Sequence, residues 1–355
     1  MTTAPDPTWV ANDRDPNWTA PPSDPRPLEF HRALPGYAPT PLVELPALAA
    51  ALGVGRVFAK DESERLGLPA FKALGASWAV HRAVAQHGGD ARVTVVTATD
   101  GNHGRAVARF AHQLGHAAAI FVPDGVHPDA IKAIRDEGAE VFEVGGSYDD
   151  AVAAAAERGS APGHVRVQDT AWEGYEEVPG WIVAGYATLF TEIDHQLAAA
   201  GAGSPDLVLV PTGVGSLLQA ALGHYRQAGR TGTAVVSVEP VNAACVFASV
   251  AAEELTAVPT SVTVMAGLNC GTVSTLAWPL IEPGLDAALV TDDERCTQAM
   301  RELAELGVDA GPCGAAALAA IRGANGPEFR AHVGLDANAT VVLLVTEGAA
   351  ANPNR

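Results

Sequence analysis

Short runs of β-branched and aliphatic residues alternate along this chain with longer stretches whose apolar positions recur every three or four residues. "RVFAKD" at 56–61 predicts a strand and "AFKALGASWAVHRAVAQHG" at 70–88 a helix. "RVTVVTAT" (92–99), "AAAIFVP" (117–123) and "AEVFEV" (139–144) predict strands, separated by the helices "GRAVARFAHQLG" (104–115) and "DAIKAIRDEG" (129–138). The helix "YDDAVAAAAERG" (148–159), the strand "HVRVQD" (164–169), the long helix "WIVAGYATLFTEIDHQLAA" (181–199) and the strand "DLVLVP" (206–211) follow. A helix from Ser216 and the strands "AVVSVEP" (234–240) and "ATVVLLVT" (339–346) continue the series. Strands alternating with helices of this length predict an α/β fold with parallel sheets covered by helices on both faces. Ligands of such folds bind beyond the carboxyl ends of the strands, so the loops that follow strands are where chemistry is expected.

The chain has 355 residues, enough for two domains or one large one, and 48% hydrophobic content supports a substantial core. A net charge of −19 argues against a nucleic-acid partner, because it repels phosphate backbones. The start, "MTTAPDPTWVANDRDP", lacks the basic and apolar regions of a signal peptide, and runs such as "VVLLV" are too short to span a membrane. A soluble, cytoplasmic protein without a membrane partner is expected. Cys245, Cys270, Cys296 and Cys313 show no CxxC spacing and read as reduced, mostly buried thiols. The first 40 residues, rich in Pro, Asp and Trp, are expected to form an extended arm around the body, with a share in an oligomer contact.

Four loops carry candidate chemistry. In "LPAFKALGAS", Lys72 opens a helix amid Ala, Phe and Leu. A helix N-terminus disfavours a cation and an apolar setting lowers the pKa of an amine, so this segment reads either as a depressed amine suited to a Schiff base or as a surface lysine near a helix end. In "VPTGVGSLLQAAL", Gly213, Val214, Gly215 and Ser216 lead from a strand into a helix, where backbone N–H groups bind phosphate. The GK[ST] ending of a P-loop is missing, and Leu218 stands where a dinucleotide fingerprint needs its third glycine. Glu239, ending the next strand, could imitate a ribose-binding acid and keeps a dinucleotide reading open. In "TATDGNHGRA", Asp100 sits at the mouth of a helix, as a cap or as something more. In "VQDTAWEGYEEVPG", Asp169 follows a strand, and two acids past strand ends can face one pocket. His112 and His116 share an i, i+4 spacing, but HExxH is absent and no metal site is expected.

Taken together, "FHRALPGYAPTPLVELPALAAALGVGRVFAKDES", "GLPAFKALGAS", "TATDGNHGRAVA", "VQDTAWEGYEEVPGWIVAGYATL" and "TVMAGLNCG" resemble the fold-type II enzymes that use pyridoxal phosphate, and within them the diaminopropionate ammonia-lyases. "AFK" and "GNHG" are widespread in that fold type, whereas "TDGNHGR" and "QDTAWEGY" are much more specific. The resemblance implies a tryptophan synthase β-like architecture of two doubly wound domains with the cofactor in the cleft between them. It places a large cofactor-binding domain at 1–77 and 186–355 and a smaller inserted α/β domain at 78–185. It implies that Lys72 holds pyridoxal 5'-phosphate as a Schiff base. The 213–216 loop would cradle the phosphate, Asn102 bond the phenolic oxygen and Thr346 face the pyridine nitrogen. Thr99, Asp100, Gly101, His103 and Asp169 would contact a small amino-acid substrate, and the enzyme would work as a homodimer in amino-acid catabolism.

Asp100 then acquires a purpose. The related serine and threonine dehydratases usually carry a small hydroxyl residue beside "GNHG". An acid there would repel a substrate carboxylate unless it met a second, positive amino group. Diaminopropionate supplies one, as an ammonium for Asp100 or Asp169. The resemblance suggests that Lys72 deprotonates the L-isomer and Asp100 the D-isomer, from opposite faces, while Asp169 positions and protonates the leaving amine. Elimination gives pyruvate and two ammonia. The alternative is a serine/threonine dehydratase-like lyase acting on another β-substituted amino acid. The chain departs from the family pattern in its short tail "TEGAAANPNR", at Asp309 and Pro312, and upstream of the glycines in "PTGVGS".

Overall fold

The computed structural model describes residues 8–88, 91–230 and 232–351. The alternating pattern resolves into β1 (Trp9–Ala11), β2 (Leu42–Glu44), β3 (Arg56–Asp61), β4 (Thr94–Ala98), β5 (Ala117–Val122), β6 (Glu140–Glu143), β7 (His164–Arg166), β8 (Leu207–Pro211), β9 (Ala234–Pro240), β10 (Ala287–Thr291) and β11 (Thr340–Val345). Two compact units arise. One takes Met1–Pro22, Thr40–Asp61 and Phe190–Thr346; the other takes Ser23–Pro39, Glu62–Leu189 and Glu347–Arg355. These bounds differ from the expected 1–77, 78–185 and 186–355. The helix that Lys72 opens, Lys72–Gln86, packs on the helix Asn102–Gln113 and so goes with the second unit.

The first unit is built on a seven-stranded sheet in the order β1-β10-β9-β8-β11-β3-β2. Its inner strands are parallel, and β1 and β2 close the two edges antiparallel to β10 and β3. β8 and β11 have every residue buried, as expected of strands covered on both faces. The chain runs outward from β8 through β9 to β10 and then returns to the far side of β8 as β11. The strand order therefore reverses between β8 and β11, and the loops after these strands, 212–216 and 346–347, leave the sheet at the reversal.

The second unit repeats this logic on a smaller scale. Its four strands are all parallel, in the order β6-β5-β4-β7. Here the reversal falls between β4 and β7, so the loop carrying Asp100 and the loop carrying Asp169 emerge from neighbouring strands. Val96, Ala98, Ala119, Phe121, Ala151 and Ala155 form the local core.

The first 40 residues are not only an extended arm. β1 joins a sheet, and Arg26–Ala33 is a helix. Its buried His31 bonds Thr188 Oγ1 at 2.8 Å and the Leu74 carbonyl at 3.0 Å. Residues 1–7 of the expected arm and 352–355 of the short tail lie outside the described residues. No helix among those described is long and apolar enough to cross a membrane. Within the second unit, Gly75 and Gly185 bring the helix Lys72–Gln86 against the first part of the helix Glu177–Ala199. A Cβ on Gly185 would lie 2.7 Å from the Leu74 carbonyl oxygen and 2.8 Å from Gly75 Cα. Gly185→Ala should therefore destabilise the protein by about 1–3 kcal/mol through overpacking. Gly180→Ala, in open space on the same helix, should be neutral or stabilising by up to about 1 kcal/mol. Thermal unfolding of the two variants checks this, and equal shifts would show that the close approach is not a constraint.

Candidate active site

The parallel pairing of β4 with β7 sets the geometry of the second unit's polar cluster. Lys72, first residue of its helix, donates from Nζ to Asp169 Oδ2 at 2.6 Å. His103 lies at the second position of the helix Asn102–Gln113. Its Nε2 donates to the Val167 carbonyl at 2.9 Å, which leaves Nδ1 as the unprotonated nitrogen. That Nδ1 has no hydrogen-bond partner among the described residues and stands 3.8 Å from Asp169 Oδ2. Burial pulls His103 below its usual pKa, so the imidazole is neutral at pH 7. Burial alone would raise Asp169, yet the cationic forms of His103 and Lys72 outweigh it and hold the acid well below the usual carboxylate range.

The depressed amine, one of the two readings of Lys72, is not what this setting produces. Burial does push the ammonium down and is the largest single effect. Asp169, Tyr186, the direct hydrogen bond and Asp100 together reverse it, and Lys72 is held well above its usual value. The helix start and the apolar neighbours were visible in the local sequence; the carboxylate 97 residues away was not.

The capping of this helix also differs from the simple reading of Asp100. The N-cap residue is Gly101, without a side-chain cap bond, and Asp100 is exposed. Thr99 does the capping: its buried hydroxyl accepts the N–H groups of Gly101 at 3.0 Å and Gly104 at 3.1 Å. A Cβ on Gly104 would fall 2.2 Å from Thr99 Cγ2, so the second glycine of "GNHG" is needed for this approach. Thr99, expected at the substrate, also holds the loop that carries Asp100 and Gly101. Asp100 acts on the cluster by charge, helping to raise Lys72 and partly opposing the fall of His103. Asn102 Nδ2 donates to Glu347 Oε2 at 2.8 Å. Glu347 is buried, and its place in "VTEG" had suggested no such partner.

In the first unit, the other candidates gather at the β8/β11 reversal. Gly215, at φ +98°, is in the left-handed region and is the N-cap of the helix Ser216–Tyr225. Its Cβ would meet Ala277 Cβ at 3.0 Å, and one on Gly213 would meet Cys270 Sγ at 3.0 Å and the Gly267 carbonyl at 3.1 Å. A Cβ is thereby disfavoured at two positions of a loop that leads into a helix N-terminus. Thr346, just past β11, is buried with its hydroxyl unpartnered among the described residues. Glu239 is not a ribose ligand. Its buried carboxyl accepts the N–H groups of Val246 and Phe247, both at 2.8 Å, and burial pushes it up to about 8. Asp309 is exposed, and Pro312 is buried as the first residue of the helix Pro312–Ala324. His116 Nδ1 accepts the Val93 N–H beyond the end of the helix that holds His112. No group of three or more metal-ligating residues occurs among those described.

The donors present fit a phosphorylated pyridine. A loop with glycines at 213 and 215 leading into a helix N-terminus suits a phosphate, and the Thr346 hydroxyl, unpartnered among the described residues, suits a buried ring atom. The sequence contains three lysines, Lys60, Lys72 and Lys132. Lys60 is locked in a buried cluster with Glu192, Gln196 and the Thr40 carbonyl, and Lys132 pairs with Asp136 on the surface. Lys72 alone combines partial burial with chemistry around it. The family described as pyridoxal-phosphate-dependent enzymes matches residues 33–347.

The chain belongs to that family.

A diaminopropionate ammonia-lyase from Salmonella typhimurium is 35% identical over 356 residues, covering 90% of this chain and 88% of that protein. The structure of the Escherichia coli diaminopropionate ammonia-lyase with an aminoacrylate–PLP azomethine intermediate superposes with a TM-score of 0.89 at 32% identity, over 96% of this chain and 94% of that one. Maize serine racemase, at a TM-score of 0.77 and 23% identity, shares the fold. As in other members of this pyridoxal-phosphate family, the architecture is fold type II.

The glycine loop generates a direct test. Gly215→Val places bulk at a left-handed position with no space for it and should weaken cofactor retention. Ser216→Ala removes at most one hydrogen bond, about 0.5–1.5 kcal/mol. Equilibrium dialysis against pyridoxal phosphate separates the two; equal, negligible losses would place the phosphate elsewhere.

Proposed function

We propose that this chain is a pyridoxal-phosphate-dependent carbon–nitrogen lyase that converts D- and L-2,3-diaminopropionate to pyruvate and two ammonia. One observation carries the reading: two carboxylates, Asp169 in contact and Asp100 by its charge, act on the single Lys72 ammonium. A site with that much negative charge suits a substrate that brings a second cationic amine. Serine brings none. The named activity of the Salmonella and E. coli relatives is the same elimination's substrate class, which supports this choice.

Pyridoxal phosphate, when bound, supplies an electron sink for negative charge developing at Cα. Lys72 carries it, the N–H groups of Gly213, Val214, Gly215 and Ser216 hold its phosphate, Asn102 its phenolic oxygen and Thr346 its ring nitrogen. Glu347 orients Asn102 for that contact. Lys72 takes the Cα proton of the L-isomer and Asp100 that of the D-isomer from the opposite face. Gly101 and His103 border the substrate, and Thr99 serves by holding their loop. Asp169 binds the distal ammonium and keeps its nitrogen protonated as it departs. The remaining enamine hydrolyses to pyruvate and the second ammonia. The reading extends, on the family resemblance, to a cytoplasmic homodimer.

Asp100→Asn keeps size and hydrogen bonding but cannot take a proton at neutral pH. Turnover of the D-isomer should fall by about 10²–10⁴ while that of the L-isomer is largely spared. Asp169→Asn should impair both, since the distal amine leaves in either case. Steady-state rates on the separate isomers check this. Equal D and L activity in Asp100→Asn would remove Asp100 from the chemistry, and with it the main reason to prefer a diamino acid over serine.

A further inference from the structure

Asp169 has a support that the proposed reaction does not yet use. Gln168, beside it, is buried at 1% exposure, and its amide is saturated with partners. Oε1 accepts from Thr97 Oγ1 at 3.0 Å and from the Ala98 N–H at 2.9 Å. Nε2 shares its two hydrogens among three acceptors, the Tyr148 hydroxyl at 2.9 Å, the Ala98 carbonyl at 3.2 Å and Asp169 Oδ1 at 3.3 Å. The Gln168 backbone N–H donates to the Tyr175 hydroxyl at 2.9 Å, and that hydroxyl donates to the Arg166 carbonyl at 3.1 Å. The amide thus ties the end of β4 to the segment that follows β7, at the reversal of strand order.

A methionine or leucine would fill this space without the desolvation cost of a buried amide. What an amide adds is a fixed donor that never titrates. The two Asp169 oxygens are accordingly divided. Oδ1 meets Gln168 Nε2, and Oδ2 meets Lys72 Nζ. Lys72, His103, Tyr175 and Tyr186 are the other titratable groups around this carboxylate. Of these, Lys72 bonds Oδ2, and His103 Nδ1 lies 3.8 Å from the same oxygen.

We infer that Gln168 is the positioning residue for Asp169, aiming its carboxylate at the leaving amine. The inference rests on the proposed role of Asp169. In that step the bond from Cβ to the distal nitrogen breaks and its electron pair stays on nitrogen. The nitrogen leaves as ammonia only if it holds three hydrogens, and the aimed carboxylate keeps the third proton in place. A halide departs with the same electron pair and needs no proton. Loss of aim should therefore slow amine loss and spare chloride loss from the same Cα-activated skeleton.

The experiment compares the holoenzyme with Gln168→Met and Asp169→Asn, on L-diaminopropionate and on β-chloro-L-alanine, in single turnovers that score pyruvate. Gln168→Met should slow the diamino acid by about 10²-fold, the cost of a misplaced group, and leave chloride elimination nearly unchanged. Asp169→Asn should discriminate in the same direction. If Asp169→Asn slows both substrates alike, the role of Asp169 fails and the inference falls with it. If Asp169→Asn separates the substrates but Gln168→Met slows both alike, or neither, the amide is only a clasp between strands and the inference is overturned. Should Gln168→Met fail to fold, Tyr148→Phe removes one anchor of the amide and keeps Gln168 itself. It must then show the same selectivity at smaller size, and its absence overturns the inference.

Discussion

The ion pair between Lys72 and Asp169 is the interaction on which the polar cluster of the second unit depends. A partly buried ammonium on a helix N-terminus is disfavoured twice, by desolvation and by the helix dipole. It persists because a carboxylate stands at 2.6 Å. That carboxylate is in turn kept ionised by the Lys72 ammonium beside it. Each group would be a liability without the other: removing one partner of a buried pair leaves an uncompensated charge, which typically costs about 3–5 kcal/mol. The pair is only possible because β7 runs parallel beside β4, which delivers the Asp169 segment to the neighbourhood of "GNHG".

Both units obey one rule. In each, a parallel sheet reverses its strand order, and the candidate residues other than Lys72, which opens a helix after β3, sit in or just after the two loops that leave the sheet at the reversal. In the small unit these are the loops after β4 and β7; in the large unit, those after β8 and β11. The same topology thus explains why four segments far apart in sequence carry the candidate residues. It also explains why the residues around them are glycines and small side chains. Gly104 and Gly213 sit where a Cβ would collide with Thr99 or with the Cys270 thiol.

The periodic elements were legible because their patterns are local. β3, the helix Tyr148–Gly159 and β9 begin and end where their apolar patterns do. β7 is shorter than "HVRVQD", because Gln168 and Asp169 leave the ladder to serve as side chains. β1, β2 and β10 were missed as short strands, two of them three-residue edges whose pairing is decided by distant partners. In the candidate site, Lys72, Asp100, Asp169 and the glycine loop were nominated from motif and strand order, and the structure brings Lys72 and Asp169 into contact. Their electrostatics were not legible. The rise of Lys72, the neutral tautomer of His103 and the bond between Asn102 and Glu347 come from contacts across tens to hundreds of residues, which no local window of sequence contains; the capping by Thr99 is local, two and five residues away, but was not read.

The central claim is that Lys72 carries the cofactor of this enzyme. Borohydride reduction of the protein loaded with pyridoxal phosphate, followed by peptide mass mapping, tests it most directly. With three lysines in the chain, the result is unambiguous. The account predicts a phosphopyridoxyl group on Lys72, and its absence together with the visible absorbance in Lys72→Ala. A label on Lys60 or Lys132, or none at all, would contradict it.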